Sequence, residues 1–339
     1  MPVTLRELAS RAGVSVATAS FALNNDSRIN PETRKRIHKL AKELGYVPDA
    51  RGRALATRAT RIVGVVVQGI RNPFYSEVVD AVKAAMEGGG YTVILGSYGV
   101  DEEGLTRYIE TFKSNIADGV IFAPGAPRGT EQARLIGELA EFVPVVFIDG
   151  DEYSSIPIVK PDVDGAAYQA TQHLIQLGHR RIAYAGPLLE ERVNGYRRAL
   201  AEHGIPVDES LVFHGDNRFE YNSFSGGVRV AAEIVKLHDR PTGLVCFNDE
   251  VAIGAIQSFV SSGIRVPDDI SVTGIDDIDI AQFCNPALTT VRVPKREMAT
   301  RAAQTLLKLI NRETISPDDS FVRFPTELIV RQSTAQCRN

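Results

Sequence analysis

Six side chains in the later part of the sequence are of the kinds that hold a small polar molecule, and five of them lie shortly beyond an apolar run. Phe74 and Tyr75 come after 62–67, Asp149 after 145–148, Asn248 after 244–247 and Asp276 after 270–275, while Arg192 stands just inside a helix start. Ligands of open parallel sheets bind beyond the carboxyl ends of the strands. One guanidinium fork with several carboxylates or amides suits adjacent hydroxyls, and an aromatic face suits a sugar ring or a base. Singly, each of these could equally cap a strand end or serve a surface ion pair. A second set lies near the start: Ser15, Thr18, Ser20 and Asn24 are short hydrogen-bonding side chains fit for phosphate oxygens. Turnover chemistry has no such signature. The sequence holds no G-x-x-x-x-G-K-[ST] loop, nucleophile elbow or metal-spaced His/Cys set, so it reads as no enzyme, with no cofactor and no metal. Gly88-Gly89-Gly90 precedes a strand and reads as a helix stop.

The elements that must position this second set are three short helices. Thr4 and Glu7 have the spacing of a capping box, Leu5, Leu8 and Ala9 recur at helical spacing, and Gly13 permits the left-handed backbone that ends a helix. Ser15 caps a second helix, whose Ala19 and Leu23 face inward. Asn30, Pro31 and Glu32 open a third, with Ile37, Leu40, Ala41 and Leu44 as its buried stripe and Gly45 and Pro48 as its stop. This is a helix-turn-helix, with its second helix built to lie in a groove.

Charge agrees. Residues 1–61 carry twelve Lys/Arg against five Asp/Glu, a net of +7, and the whole chain of 339 residues carries −4, which leaves −11 for the rest. A basic module on an acidic body fits a phosphate-binding head. No apolar run approaches the ~20 residues of a membrane span, and Met1-Pro2-Val3-Thr4 begins no secretory h-region. Three cysteines, Cys246, Cys284 and Cys337, in no metal-like spacing fit a reducing cytoplasm.

From residue 62 short apolar runs at 62–67, 91–95, 119–123, 143–148, 181–185, 243–247 and 270–275 alternate with helical patterns such as 74–87, 102–113, 165–177, 192–203 and 250–261. Strands buried on both faces and alternating with helices predict parallel sheets covered by helices, here in two sets. A further helix is expected at 297–310 and a last extended stretch at 321–330.

The segments Val3-Thr4-Leu5-Arg6-Glu7-Leu8-Ala9, Ala12-Gly13-Val14-Ser15-Val16-Ala17-Thr18, Pro31-Glu32-Thr33-Arg34 and Leu44-Gly45-Tyr46-Val47-Pro48 resemble the headpiece of the lactose-repressor family. The resemblance continues through Asn72-Pro73-Phe74-Tyr75, Leu177-Gly178-His179-Arg180, Arg192-Val193-Asn194-Gly195-Tyr196, Phe247-Asn248-Asp249-Glu250 and Pro267-Asp268-Asp269-Ile270, so it covers nearly the whole chain. It implies an all-α helix-turn-helix headpiece (1–47), a hinge helix or linker (48–60), and an α/β effector-binding and dimerisation domain (61–339). That domain would be two-lobed, like type I periplasmic sugar-binding proteins, with lobe 1 at about 61–160 plus 292–323 and lobe 2 at about 161–291 plus 324–339.

The resemblance further implies that Val16, Ala17 and Phe21 contact bases and that Leu55 enters the minor groove. With Thr4, Ser15, Thr18, Ser20 and Asn24 these make the expected DNA-binding set. Valine and alanine can touch a thymine methyl but cannot fork onto guanine, so much of the specificity is expected from Leu55 and DNA bending. Phe21 has two postures open to it, toward the groove or toward the core. The effector contacts implied are Phe74, Tyr75, Asp149, Arg192, Asn248 and Asp276, with either Phe219 or Tyr221 as a further stacking ring. The expected function is a DNA-binding transcriptional regulator, most simply a repressor, controlled by a sugar or sugar derivative in the cleft between the lobes. Its partners are a palindromic double-stranded operator and a second copy of itself. The chain is expected to be cytoplasmic and to engage no membrane. The final residues carry no leucine heptad, so a dimer and nothing larger is expected. A periplasmic-type solute-binding protein is the alternative reading.

Overall fold

Thr4, Ser15 and Asn30 each start a helix: α1 (Leu5–Ala12), α2 (Val16–Leu23) and α3 (Pro31–Glu43). Thr4 Oγ1 accepts from the Glu7 amide at 3.2 Å, Ser15 Oγ from the Thr18 amide at 3.0 Å and Asn30 Oδ1 from the Glu32 amide at 2.8 Å. Caps of this kind contribute about 1 kcal/mol each. The reciprocal arm expected of the capping box is not the one Glu7 makes: its carboxylate pairs with Arg11 at 3.1 Å, one turn on. Gly13 takes φ 65° and lets the Val14 amide turn back to the Ala9 carbonyl at 3.0 Å. Leu8, Ala12, Ala22, Ile37 and Ala41 are buried together, with Leu23, Leu40 and Leu44 packed against them.

The computed structural model describes residues 3–47, 59–99, 102–114, 116–124, 130–151, 156–188, 190–214 and 222–338. The chain divides into two units, Met1–Arg61 and Ile62–Asn339. Most of the expected hinge, with Leu55, and both Phe219 and Tyr221 lie outside the described residues.

The second unit opens with β1 (Ile62–Val67), α4 (Pro73–Gly88), β2 (Thr92–Ser97), α5 (Glu102–Lys113), β3 (Gly119–Ala123), α6 (Glu131–Ala140), β4 (Val145–Ile148) and β5 (Ile158–Pro161). It continues with α7 (Val163–Gln176), β6 (Ile182–Ala185), α8 (Glu190–Glu202), β7 (Val212–Phe213), α9 (Phe224–Lys236), β8 (Gly243–Cys246), α10 (Asp249–Ser261), β9 (Ser271–Asp276) and β10 (Thr289–Arg292). Last come α11 (Lys295–Ile310), α12 (Pro317–Ser320), β11 (Phe321–Phe324) and β12 (Glu327–Ile329).

The strands form two sheets, ordered β11-β5-β4-β3-β1-β2 and β12-β10-β9-β8-β6-β7. Every pairing is parallel except β10 with β12. Central strands such as β3, β8 and β9 are buried along their whole length, which is why their sequences read as unbroken apolar runs. The chain passes between the sheets three times, after β5, after β10 and after β11. The first and third passages touch, for the Asp162 amide donates to the Phe324 carbonyl at 2.9 Å.

The stretch expected as one extended element at 321–330 is therefore two strands in two sheets. Pro325 has no amide to continue the ladder, and the chain changes lobe there. Helix α9 is not among the helical patterns named from the sequence, and two glycines, Gly226 and Gly227, stand near its start. Gly227 has a packing purpose. A Cβ on Gly227 would sit inside the van der Waals radius of the Val251 carbonyl, and one on Gly254 inside that of the Phe224 carbonyl, so α9 and α10 touch backbone to backbone. Beyond Ile329 the chain stays on the second sheet, where the Val272 amide donates to the Ser333 carbonyl at 2.8 Å and Ser333 Oγ to the Val272 carbonyl at 2.6 Å. Among the described residues no helix is long and apolar enough to cross a membrane.

Two glycine substitutions should separate packing from propensity. Gly227→Ala is expected to cost the body about 2–3 kcal/mol, because neither backbone can retreat. Gly137→Ala, in α6 with open space around its Cβ position, should gain up to about 1 kcal/mol. Urea unfolding of the two variants against the parent chain measures both.

Candidate functional site

In the first unit, capping fixes the start of α2 and alanines fix its inner face. Ala19 and Ala22 are fully buried, and the opposite face presents Val16, Ala17, Phe21 and Asn24 to solvent. Phe21 does not turn inward. It is 39% exposed, and the Arg28 guanidinium lies over its ring at 4.4 Å. Arg28 is itself held by Asp26 in a two-pronged pair at 2.6 and 3.0 Å, and hydrogen bonding from Arg28 holds the Asp26 carboxyl down at about 2. Ser15 and Thr18 share a hydroxyl–hydroxyl bond of 2.8 Å at the N-terminus of the helix, where amide groups and the positive end of the dipole favour a phosphate. The result is an exposed apolar patch, ringed by hydroxyls and amides, on a unit with a net positive charge.

In the second unit the carboxyl ends of the two sheets bring most of the expected cleft residues together. Phe74 and Tyr75 open α4, their rings meeting edge to face at 5.3 Å. Asn72 Oδ1 caps that helix through the Phe74 amide at 2.9 Å, which fixes where the rings stand. Burial pushes the Tyr75 phenol well above its usual range. Tyr98, Asp149 and Asp276 add to the rise and Arg192 opposes it, which places all four within electrostatic reach of one hydroxyl. Asp149 adopts φ 62° at the end of β4, where its amide donates to the Val159 carbonyl at 2.8 Å.

Arg192, in the first turn of α8, reaches away from the helix terminus and donates to the Phe247 carbonyl, with its guanidinium 4.1 Å above the Phe247 ring. Gly186 makes that seat: at φ 147° a side chain is strained, and any Cβ would collide with that of Phe247. Asn248 is 4% exposed and frames the cleft. Its Oδ1 caps α10 through the Val251 amide at 2.9 Å, and its Nδ2 donates to the Asn222 carbonyl at 3.1 Å.

Asp276 ends β9, 5% exposed, with φ 122°. Burial lifts its carboxyl to about 6 against the pull of Arg192 and Lys295, with Asp149 and Glu77 pushing it further up. Its neighbour Asp249 is fully buried, with Oδ2 accepting from the Ile278 amide at 2.9 Å and Oδ1 from the Thr290 hydroxyl. Burial and Asp276 raise that carboxyl well above the ordinary range.

Sequence reasoning missed several residues here. Gln68 and Tyr98 immediately follow β1 and β2, and Gln68 accepts from the Tyr75 hydroxyl at 3.4 Å. The strand-end rule, applied to every run, would have found both. Glu250 gave no signal. It sits in the first turn of α10, 8% exposed, and burial with the nearby Asp276 lifts it to about 7, while Arg71 opposes the rise. Lys295 was likewise unread, though its side chain reaches the backbone that presents Asp276.

Residues 4–49 match the family model described as bacterial regulatory proteins, lacI family, and residues 171–334 match that of the periplasmic binding protein-like domain. Catabolite control protein A of Priestia megaterium is 33% identical over 342 residues, covering 98% of this chain and 100% of that protein. The crystal structure of the Lac repressor dimer bound to operator and the anti-inducer ONPF is 25% identical, with a TM-score of 0.87 over 99% of this chain and 100% of that one. A complex of the transcriptional regulator CelR with cellobiose is 30% identical, with a TM-score of 0.71 over 98% of this chain and 99% of that one.

A carboxyl lifted from 4.5 to about 7 binds more protons in the native than in the unfolded state across that window, so its contribution to stability falls as pH rises through it. Glu250→Gln removes that contribution. The variant is expected to gain about 2 kcal/mol over the parent at pH 8 and little at pH 4.5. Thermal unfolding of both proteins at the two pH values checks the sign as well as the size.

Proposed function

Since this chain belongs to the lacI family of bacterial regulatory proteins and is a DNA-binding transcriptional regulator, we propose that it is a homodimeric repressor of a palindromic operator. Its effector is a sugar or sugar derivative that binds in the interlobe cleft. The observation that carries this reading is the cleft itself: Phe74 and Tyr75 open α4 beyond the first sheet, buried Arg192 and Asp276 stand at the carboxyl end of the second, and Asp149, Arg192 and Asp276 all lie within electrostatic reach of the Tyr75 hydroxyl. Rings, a guanidinium and carboxylates in one place suit a ring bearing several hydroxyls. The cellobiose held by CelR lends the carbohydrate class support.

On this reading Phe74, Tyr75, Asp149, Arg192 and Asp276 touch the effector, and Asn248 adds its remaining amide hydrogen. Val16, Ala17 and Phe21 meet base edges, and Thr4, Ser15, Thr18, Ser20 and Asn24 hold phosphates. Residues 48–60 form the hinge, with Leu55 in the minor groove. A two-fold dimer matches two half-sites and lets two small heads act together. The lobes comprise about 61–160 plus 292–323 and about 161–291 plus 324–339. The protein works in the cytoplasm, where the DNA is. A solute-binding protein of the same fold would use the body and leave the capped basic headpiece without a task.

The effector shifts operator affinity only by its differential affinity for two interlobe angles. A coupling of about 1–3 kcal/mol changes operator affinity about 5- to 150-fold.

Selection of the full chain against random duplex DNA should enrich an inverted repeat; enrichment of a single unpaired site would contradict the dimer. Phe21→Ala should alter the selected bases while leaving thermal stability close to that of the parent. A thermal-shift panel of sugars, sugar phosphates and nucleobases should then yield a sugar that stabilises the body, by about 2.7 kcal/mol at 100 times its dissociation constant. Arg192→Ala is expected to abolish that sugar's effect on operator affinity and to leave sugar-free DNA binding near normal. A full response in Arg192→Ala puts the effector elsewhere.

A further inference from the structure

Lys295 is the first residue of α11 and stands where the chain has just passed from the second sheet to the first. It is 5% exposed. A buried ammonium is tolerated only when its protons are taken, and here the acceptors belong to both lobes. Nζ donates to the carbonyl of Asp276, the last residue of β9 in the second lobe, at 2.7 Å and to that of the next residue, Asp277, at 2.9 Å. It also lies 3.4 Å from Glu77 Oε2 in α4 of the first lobe. Glu77 is one turn beyond Phe74 and Tyr75, and its Oε1 is buried with no hydrogen-bond partner. One cation thus joins the helix that opens with the cleft aromatics to the backbone that aims the cleft carboxylate.

The two attachments differ in kind. The carbonyls belong to a segment pinned on its own lobe, where Asp277 takes Arg292 at 2.8 Å and Arg331 at 2.7 Å and Ile278 is held by Asp249. Glu77 shares the first lobe with Lys295, so the bonds that a relative rotation of the lobes must lengthen or shorten are those from Nζ to the Asp276 and Asp277 carbonyls. Lengthening them strips a buried ammonium of its acceptors, and Glu77 holds that ammonium on the first lobe, so the posture of the Asp276 segment depends on the lobe angle.

We propose that Lys295 is a positioning residue of the effector site, one that ties the backbone presenting Asp276 to Glu77 of the opposite lobe so that lobe rotation and the aim of Asp276 change together. The inference rests on the cleft being the effector site, but its test uses no effector, so the two ideas fail separately. Native-state hydrogen exchange is measured on the full ligand-free chain and on Glu77→Gln, Lys295→Met and the double variant. Glu77→Gln, a change in lobe 1, should speed exchange of the Ile278 amide in lobe 2 about tenfold, while the amides of β8 keep the parent rate. The double variant should exchange no faster at Ile278 than Lys295→Met alone. If Lys295 serves only to fill space within its own surroundings, Glu77→Gln leaves Ile278 at the parent rate, and the proposal is overturned. Should Lys295→Met fail to fold, the comparison of Glu77→Gln with the parent chain decides by itself.

Discussion

Two consecutive aspartates, Asp276 and Asp277, hold φ values of 122° and 51°, a region that side-chain-bearing residues adopt at a cost of order 1–3 kcal/mol each. Much of the second lobe exists to keep them there. Asp249 is buried whole in order to fix the Ile278 amide, and Gly274 has no side chain because one would occupy the place of the Asp249 carboxylate. Arg292 and Arg331 hold Asp277, whose carboxyl stays below its ordinary value because those pairings outweigh the effect of its burial. The outcome is that Asp276 is presented to the cleft by a backbone held from several sides. A charge aimed this way is worth more to a ligand than one that must be reordered on binding.

The two functional surfaces solve recognition in opposite ways. The cleft concentrates ionisable groups under low exposure, and burial raises the carboxyls of Asp249, Glu250 and Asp276, each pushed further up by a neighbouring carboxylate. The outer face of α2 carries no charge at all. Attraction to a phosphate backbone must therefore come from the net positive charge of the unit as a whole.

How much of this was legible follows from how each feature is encoded. Caps, turn glycines and apolar periodicity are local, so α1, α2, α3 and the buried strands could be read directly from types and spacing. The posture of Phe21 could not, because Ala19 and Ala22 fill the inner face only when α3 is in place, and Arg28 stacks from outside the helix. The cleft residues at strand ends were legible for the same reason as the strands. Lys295 and Glu250 were not, since each begins a helix and acquires its meaning from partners far away in sequence. Helix α9 was not named either, for a glycine placed for helix-on-helix contact, such as Gly227, looks the same in a sequence as one placed for a turn.

The three passages of the chain between lobes have a temporal consequence. β11 completes the edge of the first sheet and β12 that of the second, and both come from residues 321–329. Neither lobe can therefore close its sheet while the ribosome is still making the other. The headpiece is made first and its core needs nothing downstream, so a nascent chain carries a folded, positively charged head long before it has a finished body. Until those two strands emerge, β5 and β10 are bare edges of buried, apolar sheets, and it is in that interval that the chain is most open to pairing with another copy of itself.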